Sequence, residues 1–347
     1  MTEAIVTSRP LPLLEGGYAE KTPVTQGDNG NGQALLLQGM EQLALLPSPA
    51  DPYAVGQQLL AQNQSLLPLI DLSSSAPLHF MSTKQEDIQD GSRQLHRELQ
   101  QSSDSYSKAV KSLKLVTGAS QGARVVGNEG TPPHIDALES LINTIHGGYQ
   151  KTYSDINQKA AQYMKDVNTA LGKMSDFIRA GGDGKIHFRP EDFLKEMHKT
   201  FTKYTEFNPK STKDYHNWSP DDSSTKAIHT FRGDETAFKF WKEKLGDGFI
   251  VKQVGSDSIS IYPNLSAIRQ IHASVAKISL DWGGGDMASQ SFQSLQTAID
   301  SQKNSVNNGV SQLLERFRQD NSTFETMIQL LTKMTEDLHR YNAGYLQ

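Results

Sequence analysis

Three short stretches rich in glycine and aspartate contain residue types that could bind calcium or phosphate. The first, "DNGNGQ" from Asp28, starts like a calcium loop but has Gly30 at a ligand position and no glutamate at the twelfth position. The others, "GGDGK" (181–185) and "GGGD" (283–286), do not lie between a buried strand and a helix, as a phosphate-binding loop does. We interpret the first as disordered chain and the other two as helix ends and flexible joints.

The remaining reactive residue types do not form a catalytic pattern. The chain has no cysteine, which excludes disulfides, thiol nucleophiles and cysteine-ligated metals. The histidines are scattered, and His198 and His272 lie on short amphipathic segments, where a surface or hydrogen-bonded core histidine is usual. Glu191, Asp192 and Glu196 follow a proline and suit the N-terminal end of a helix dipole. The sequence therefore predicts a protein that is not an enzyme and has no catalytic residue, metal or cofactor.

Composition also limits the class of partner. The chain of 347 residues has 36% hydrophobic and 21% charged residues and a net charge of −5, so it lacks the positive excess of a nucleic-acid-binding protein. No apolar run approaches the ~20 residues that cross a bilayer. Residues 1–33 are rich in glycine, threonine, proline and asparagine and are predicted to be a disordered tail, with an uncleaved export signal as the alternative.

Residues 34–118 have helical patterns with little apolar surface. The apolar residues on one face of each predicted helix form short stripes, which prolines at 47, 49 and 52 separate. The longest predicted helix, between residues 84 and 115, is very polar outside its apolar stripe. Such helices cannot bury enough surface alone, so we expect them to pack on a larger element. Residues 119–133 are a glycine-rich linker that ends in two prolines, a typical start of a helix.

A coiled-coil helix is predicted over residues 134–180. From Tyr153 the apolar residues step by three and four in a strict heptad to Phe177, and a four-four step across Tyr149 is a stutter that locally unwinds a supercoil. Gly181, Gly182 and Gly184 are expected to end this helix.

Residues 181–286 change in character and predict a small mixed α/β insertion. "KIHF" and the pair "FIVKQV" and "SISIYP" have strand composition, with "GSDS" as a hairpin turn. Short helices are expected after Pro190, at "ETAFKFWKEKLG" and at "LSAIRQIHASVAKI", and residues 208–234 form a long polar loop. The expected core consists of Phe193, Phe201, Phe238, Trp241, Ile250, Ile259, Ile261, Ile268 and Ile271.

A second long helix is predicted over residues 287–347. Its heptad is regular from Val310 to Tyr341, with Asp320 as a polar seam residue that fixes the register. The two long helices are expected to pair antiparallel within one chain, with the insertion at the far end. Parallel association of separate chains is the alternative. The predicted fold is therefore mainly α: a long intramolecular antiparallel coiled coil with an inserted α+β domain.

The order of these segments resembles the needle-tip proteins of type III secretion systems, the IpaD/SipD/BipD family of invasins. The resemblance runs from about Ile135 onward. It rests on residues 149–185, on "FWKEKLGDGFIVKQVGSDSISIYP", and on residues 320–347, where Asn321, Ser322, Phe324, Tyr345 and Leu346 occupy recurring positions. The chain departs from the family at "MASQSFQSL", where a "YQAW" element is usual, and at Phe177, where some members have tryptophan.

The resemblance implies that residues 34–118 are a helical hairpin that acts as a self-chaperone on the coiled coil. It also implies export through the type III apparatus to the bacterial surface, self-oligomerisation at the needle tip, binding to the needle subunit, and control of translocator insertion into the host membrane during invasion. Some relatives bind bile salts, and this ligand is not carried over. The alternative is a non-enzymatic coiled-coil adaptor.

The resemblance further suggests a docking site on the last helix. Needle subunits are helical hairpins, and a groove in the coiled coil could accept one once the N-terminal helices move aside. The residues predicted to contribute are Asn321, Phe324, Met327, Leu331, Lys333, Met334, Glu336, Leu338 and Arg340. The alternative is that the apolar members only pack in the seam against residues 138–163.

Overall fold

The computed structural model describes residues 51–62, 82–120, 132–218 and 224–344. The predicted tail, residues 34–50 of the predicted hairpin, most of the predicted linker and the C-terminal Tyr345 and Leu346 lie outside this part. The described chain is mainly helical and carries a small α+β insertion between two long helical segments, as predicted. Within the described residues, no helix is long and apolar enough to cross a bilayer.

The first long segment is a rod of two α-helices joined by a wider turn. Helix α3 spans Pro133–Ile145, a π-helical turn spans His146–Gln150, and α4 spans Lys151–Gly172. A π-turn accommodates one extra residue in an otherwise regular helix. The heptad break predicted across Tyr149 falls within this turn.

The end of this rod differs from the prediction. Helix α4 ends at Gly172, Lys173–Phe177 form a 3₁₀ turn, and Ile178–Ala180 are strand β1. Met174 stays buried in the 3₁₀ turn, so the apolar pattern continues although the α-helix has stopped. The glycines predicted to end the helix instead form the turn between β1 and β2 (Ile186–Phe188), where Gly184 has φ 73°.

The insertion contains two three-stranded antiparallel sheets. One has the order β1-β2-β6, with β6 at Gly285–Met287, and the other has the order β3-β5-β4. The predicted hairpin is confirmed as β4 (Phe249–Val254) and β5 (Ser258–Pro263), in which Val251 faces Ile261. The polar loop predicted over residues 208–234 was wrong in part, because it contains α6 (Thr212–Asn217) and β3 (His229–Arg232).

Three further helices complete the insertion: α5 (Pro190–Phe201), α7 (Glu235–Leu245) and α8 (Ser266–Ala276). The predicted core is buried except for Phe238 and Ile250, which are half-buried. His272 is fully buried among Phe201, Tyr215 and Trp218, and neither ring nitrogen has a hydrogen-bond partner. This burial lowers its pKa to about 3, so the ring is neutral at physiological pH.

The last helix, α9, spans Ser289–Gly344 and is the longest element. It runs antiparallel to α4, because Asn168 contacts Asn307 and Gln150 contacts Asn321. The predicted intramolecular antiparallel pair is therefore confirmed. Two N-terminal helices, α1 (Pro52–Gln62) and α2 (Gln85–Ser120), pack on this pair.

The direction of α1 and α2 bears on the predicted hairpin. Along α2, Ser82 contacts Ser311 and Ser102 contacts Glu325. At the start of α1, Asp51 and Asp320 contact the same ammonium group of Lys244, and further along α1 Gly56 lies against Met327. Both helices therefore run in the same direction as α9. The predicted hairpin over residues 34–118 stays a prediction, because residues 34–50 and 63–81 lie outside the described part. Pro52, which was expected to break a helix, is instead the first residue of α1.

Candidate functional site

The C-terminal half of α9 is the candidate site. The first rod covers one side of it: the first turn of α4 lies at Phe317, and α3 lies alongside the residues after Asn321. Tyr153 stacks on Phe317 with ring centroids 4.1 Å apart and an interplanar angle of 6°. The Tyr153 hydroxyl donates a hydrogen bond to the Asp320 carboxylate. Both side chains are buried, so this seam combines an aromatic stack with a buried hydrogen bond.

Helix α1 covers a second side of the same half. Tyr53 is fully buried and stacks on Tyr153 at 5.4 Å and on Phe240 of the insertion at 6.2 Å. Gly56 lies directly against Met327, where an added Cβ would come within 2.6 Å of the sulfur. A larger residue at this position would require the end of the Met327 side chain to move. Helix α1 thus inserts one aromatic anchor between the coiled coil and the insertion.

Helix α2 covers a third side, and its contacts are more polar. Ser102 Oγ donates to Glu325 Oε1 at 2.6 Å, and Arg318 Nη2 lies 3.3 Å from Glu98 Oε1. An apolar stripe packs beneath these pairs, in which Tyr106 lies 6.4 Å from the ring of Phe324. Burial raises the pKa of Glu325, and the hydrogen bond from Ser102 opposes this rise.

A buried ion pair lies where these elements meet. Lys244 of α7 places its Nζ 2.8 Å from Asp320 Oδ2 and 3.2 Å from Asp51 Oδ2. Burial raises the pKa of Asp320, while the charge of Lys244 and the Tyr153 hydroxyl oppose this rise. Lys244 also lies over the rings of Tyr53 and Phe240 at 5.6 and 5.5 Å. The sequence interpretation missed this group, because its members lie far apart in the chain.

The structure divides the predicted docking residues into two sets. The first set is buried in the bundle and consists of Asn321, Phe324, Met327, Leu331 and Met334. The second set forms a rim at the end of α9: Leu338 is half-buried, Glu336 and Arg340 are exposed, and Lys333 pairs with Asp337 at 3.5 Å. Only this rim is accessible while α1 and α2 are in place.

Among the described residues, no group of three His, Asp or Glu side chains could hold a metal ion. An open cleft of about 650 Å³ lies between the N-terminal half of α9 and the 3₁₀ turn Gly246–Gly248. Residues that line it include Asp247, Asp300 and Asn304.

One family model and several solved structures are similar to this chain. A family model described as type III secretion systems tip complex components matches residues 76–336. The fold is similar to that of BipD, an invasion protein associated with the type III secretion system of Burkholderia pseudomallei. That structure has a TM-score of 0.53 and 16% identity, over 73% of this chain and 81% of BipD.

Two further solved structures have lower scores. A second BipD structure has a TM-score of 0.48 and 14% identity, over 74% of this chain and 98% of its own. A pathogenicity island 1 effector protein from Chromobacterium violaceum has a TM-score of 0.43 and 14% identity, over 77% and 76%. No curated protein matches the chain.

Proposed function

Because the chain belongs to the family of type III secretion tip complex components, we propose that it caps the secretion needle, oligomerises there and controls the insertion of translocators into the host membrane. The resemblance inferred from the sequence is confirmed at the level of the family and the fold. The proposal includes export of the protein to the needle tip. It also includes the needle subunit and the translocators as partners of the protein.

One observation carries the docking part of this proposal. The apolar face of the C-terminal half of α9 is covered by short or polar helices, α1 and α2, as well as by α3 and the first turn of α4. A helical hairpin of the needle subunit could replace them, in the manner of an amphipathic helix in an apolar groove. The exposed rim of Lys333, Glu336 and Arg340 would then make the first contacts.

Charge reversal on this rim tests the docking site. We expect Lys333→Glu, Glu336→Lys and Arg340→Glu to weaken binding of purified needle subunit, each by about threefold to tenfold, because rim charges mainly set the association rate and register. Lys303→Glu, on the N-terminal half of the same helix, is the matched control. Unchanged binding in the three rim variants, with the helical signal intact, would refute docking at this end.

Export is tested separately. When a type III apparatus is active, the protein is expected in the culture supernatant, because the proposal assigns its export to that apparatus. Retention inside the cell under the same conditions, while other substrates of the apparatus are exported, would instead favour a coiled-coil adaptor.

A further inference from the structure

Lys244 connects the three parts of the molecule through a single ammonium group. It belongs to α7 of the insertion, Asp320 belongs to α9 of the coiled coil, and Asp51 immediately precedes α1. Both carboxylates lie within 3.2 Å of the same Nζ. The side chain of Lys244 is only 19% exposed and that of Asp320 only 4%, so solvent screens this group weakly.

Asp51 has a second role that ties it to α1. Its Oδ1 accepts hydrogen bonds from the backbone N–H groups of Tyr53 and Ala54, at 2.9 and 3.3 Å. Asp51 therefore caps the N-terminus of α1 with one oxygen and binds Lys244 with the other. Any force on this carboxylate acts directly on the first turn of the helix.

Removal of Lys244 would change attraction into repulsion. Asp51 and Asp320 would then face each other as two like charges, and Asp320 would be a buried carboxylate without its cation. An uncompensated buried charge is strongly unfavourable. Asp320 is fixed in the seam of the coiled coil, whereas α1 has eleven residues and is too short to be a stable helix by itself. The repulsion would therefore be relieved by departure of α1.

The position of Lys244 is set by the insertion. Lys244 lies in the last turn of α7, which ends before Gly246 with φ 59°. Arg316 of α9 donates a hydrogen bond from Nη1 to the Lys244 carbonyl oxygen at 3.0 Å and so holds this turn against the coiled coil. A shift of α7 away from α9 would withdraw the ammonium group from both carboxylates at once.

We propose that Lys244 makes the retention of α1 depend on the insertion: a partner that moves α7 away from α9 releases α1 from the C-terminal half of α9. The proposal rests on the proposed function in one respect, since the face uncovered in this way is the one assigned to the needle subunit. The release itself is a property of this chain alone and can be measured without any partner.

The absence of cysteine allows a single engineered thiol to report on α1. Val55 is buried in α1, so Val55→Cys in the full-length chain should react slowly with a thiol reagent. We expect Lys244→Met to accelerate labelling of this thiol at least tenfold. Adding Asp51→Asn should return the rate most of the way to that of the parent, because asparagine keeps the cap and removes one of the two repelling charges.

Two controls separate selective release from general damage. Lys242→Met, an exposed lysine on the same helix, should leave the labelling rate unchanged. A second reporter, Val275→Cys in the core of α8, should stay unreactive in the Lys244→Met background. The proposal is overturned if Lys244→Met does not accelerate labelling at residue 55, if Asp51→Asn does not reverse the acceleration, or if both reporters accelerate equally. Failure of needle binding would refute the docking site and leave this result intact.

Discussion

Helices α4 and α2 both lie along α9, but they contact it in different ways. In the α4 seam, the rings of Tyr153 and Phe317 stack at 4.1 Å and Asp320 is buried beside them. In the α2 seam, the closest contacts are Ser102 to Glu325 and Glu98 to Arg318, and the nearest aromatic pair is separated by 6.4 Å. The α4 seam contains a close aromatic stack beside two amide pairs, whereas the α2 seam combines apolar packing with polar pairs and has no close aromatic stack among the described residues.

This difference indicates which contact is permanent. A stacked aromatic pair loses its dispersion and burial energy when the helices separate, and water cannot replace it. A hydrogen bond or ion pair between side chains contributes only about 0.5–1.5 kcal/mol net, because water or another protein can take over the same groups. We infer that α4 and α9 hold the fold together, whereas α2 can exchange for another helix of similar polarity.

Deletion of residues 34–115 tests this inference with the largest expected effect. The variant lacks α1 and nearly all of α2, so the face of α9 that contains Phe324 and Met327 loses two of its covers. We expect the helical circular dichroism signal of the remaining elements to persist and the variant to self-associate in light scattering, because an exposed apolar face favours association.

The control for this experiment is deletion of residues 1–33 alone, which leaves α1 and α2 in place and should not promote association. Complete loss of the helical signal on deletion of 34–115 would show that α2 is an indispensable part of the core, and the distinction between the two seams would fail.

Phe317→Ala should have the next largest effect, on stability. The ring is fully buried against Tyr153 and also contacts Trp241 of the insertion, so the change leaves a cavity in the α4 seam. We expect the free energy of unfolding, measured with denaturant, to fall by about 3–5 kcal/mol. Val254→Ala, at an exposed hairpin position, should change it by less than about 0.5 kcal/mol. If Phe317→Ala lowers the free energy of unfolding by less than about 1 kcal/mol, the inference that the α4 seam holds the fold together is contradicted.

The α4 seam is also the part that could be predicted from the sequence. A heptad is a local pattern, so the burial of Tyr153, Val310 and Phe317 follows from residue spacing. The antiparallel pairing follows from the insertion that connects the two long helices within one chain. The same pattern placed the end of the rod wrongly, because Met174 keeps its buried heptad position in a 3₁₀ turn, and side-chain spacing does not distinguish that turn from an α-helix.

The contacts of α1 and Lys244 could not be predicted in this way. Tyr53, Gly56 and Lys244 are single residues whose partners lie more than 70 positions away, and no periodicity connects them. In isolation, Lys244 is a basic residue in the last turn of a short helix, which the helix dipole alone explains. The aspartate and proline before Tyr53 were the one available signal, since aspartate is a preferred cap and proline a preferred first helical residue.

Glu325→Gln should have the smallest effect on the free energy of unfolding. The pH dependence of this effect tests whether the polar contacts of the α2 seam are exchangeable. Burial raises the pKa of Glu325 in the folded state, so the folded protein binds this proton more tightly than the unfolded chain does. The charged carboxylate therefore costs stability at neutral pH, and this cost disappears as the pH falls through the folded-state pKa toward the unfolded value of about 4.3. The glutamine variant should therefore be more stable than the parent at pH 7.

This stability difference should shrink as the pH approaches 4, when the parent carboxyl is also neutral. Denaturant unfolding of both proteins across this range measures it, with the exposed Glu336→Gln as a control that shows no such trend. A glutamine variant that is less stable than the parent at pH 7 would mean that Ser102 and Asn321 stabilise the charged carboxylate by more than burial destabilises it. The α2 seam would then be a fixed polar contact, and its proposed exchange for another helix would have to be abandoned.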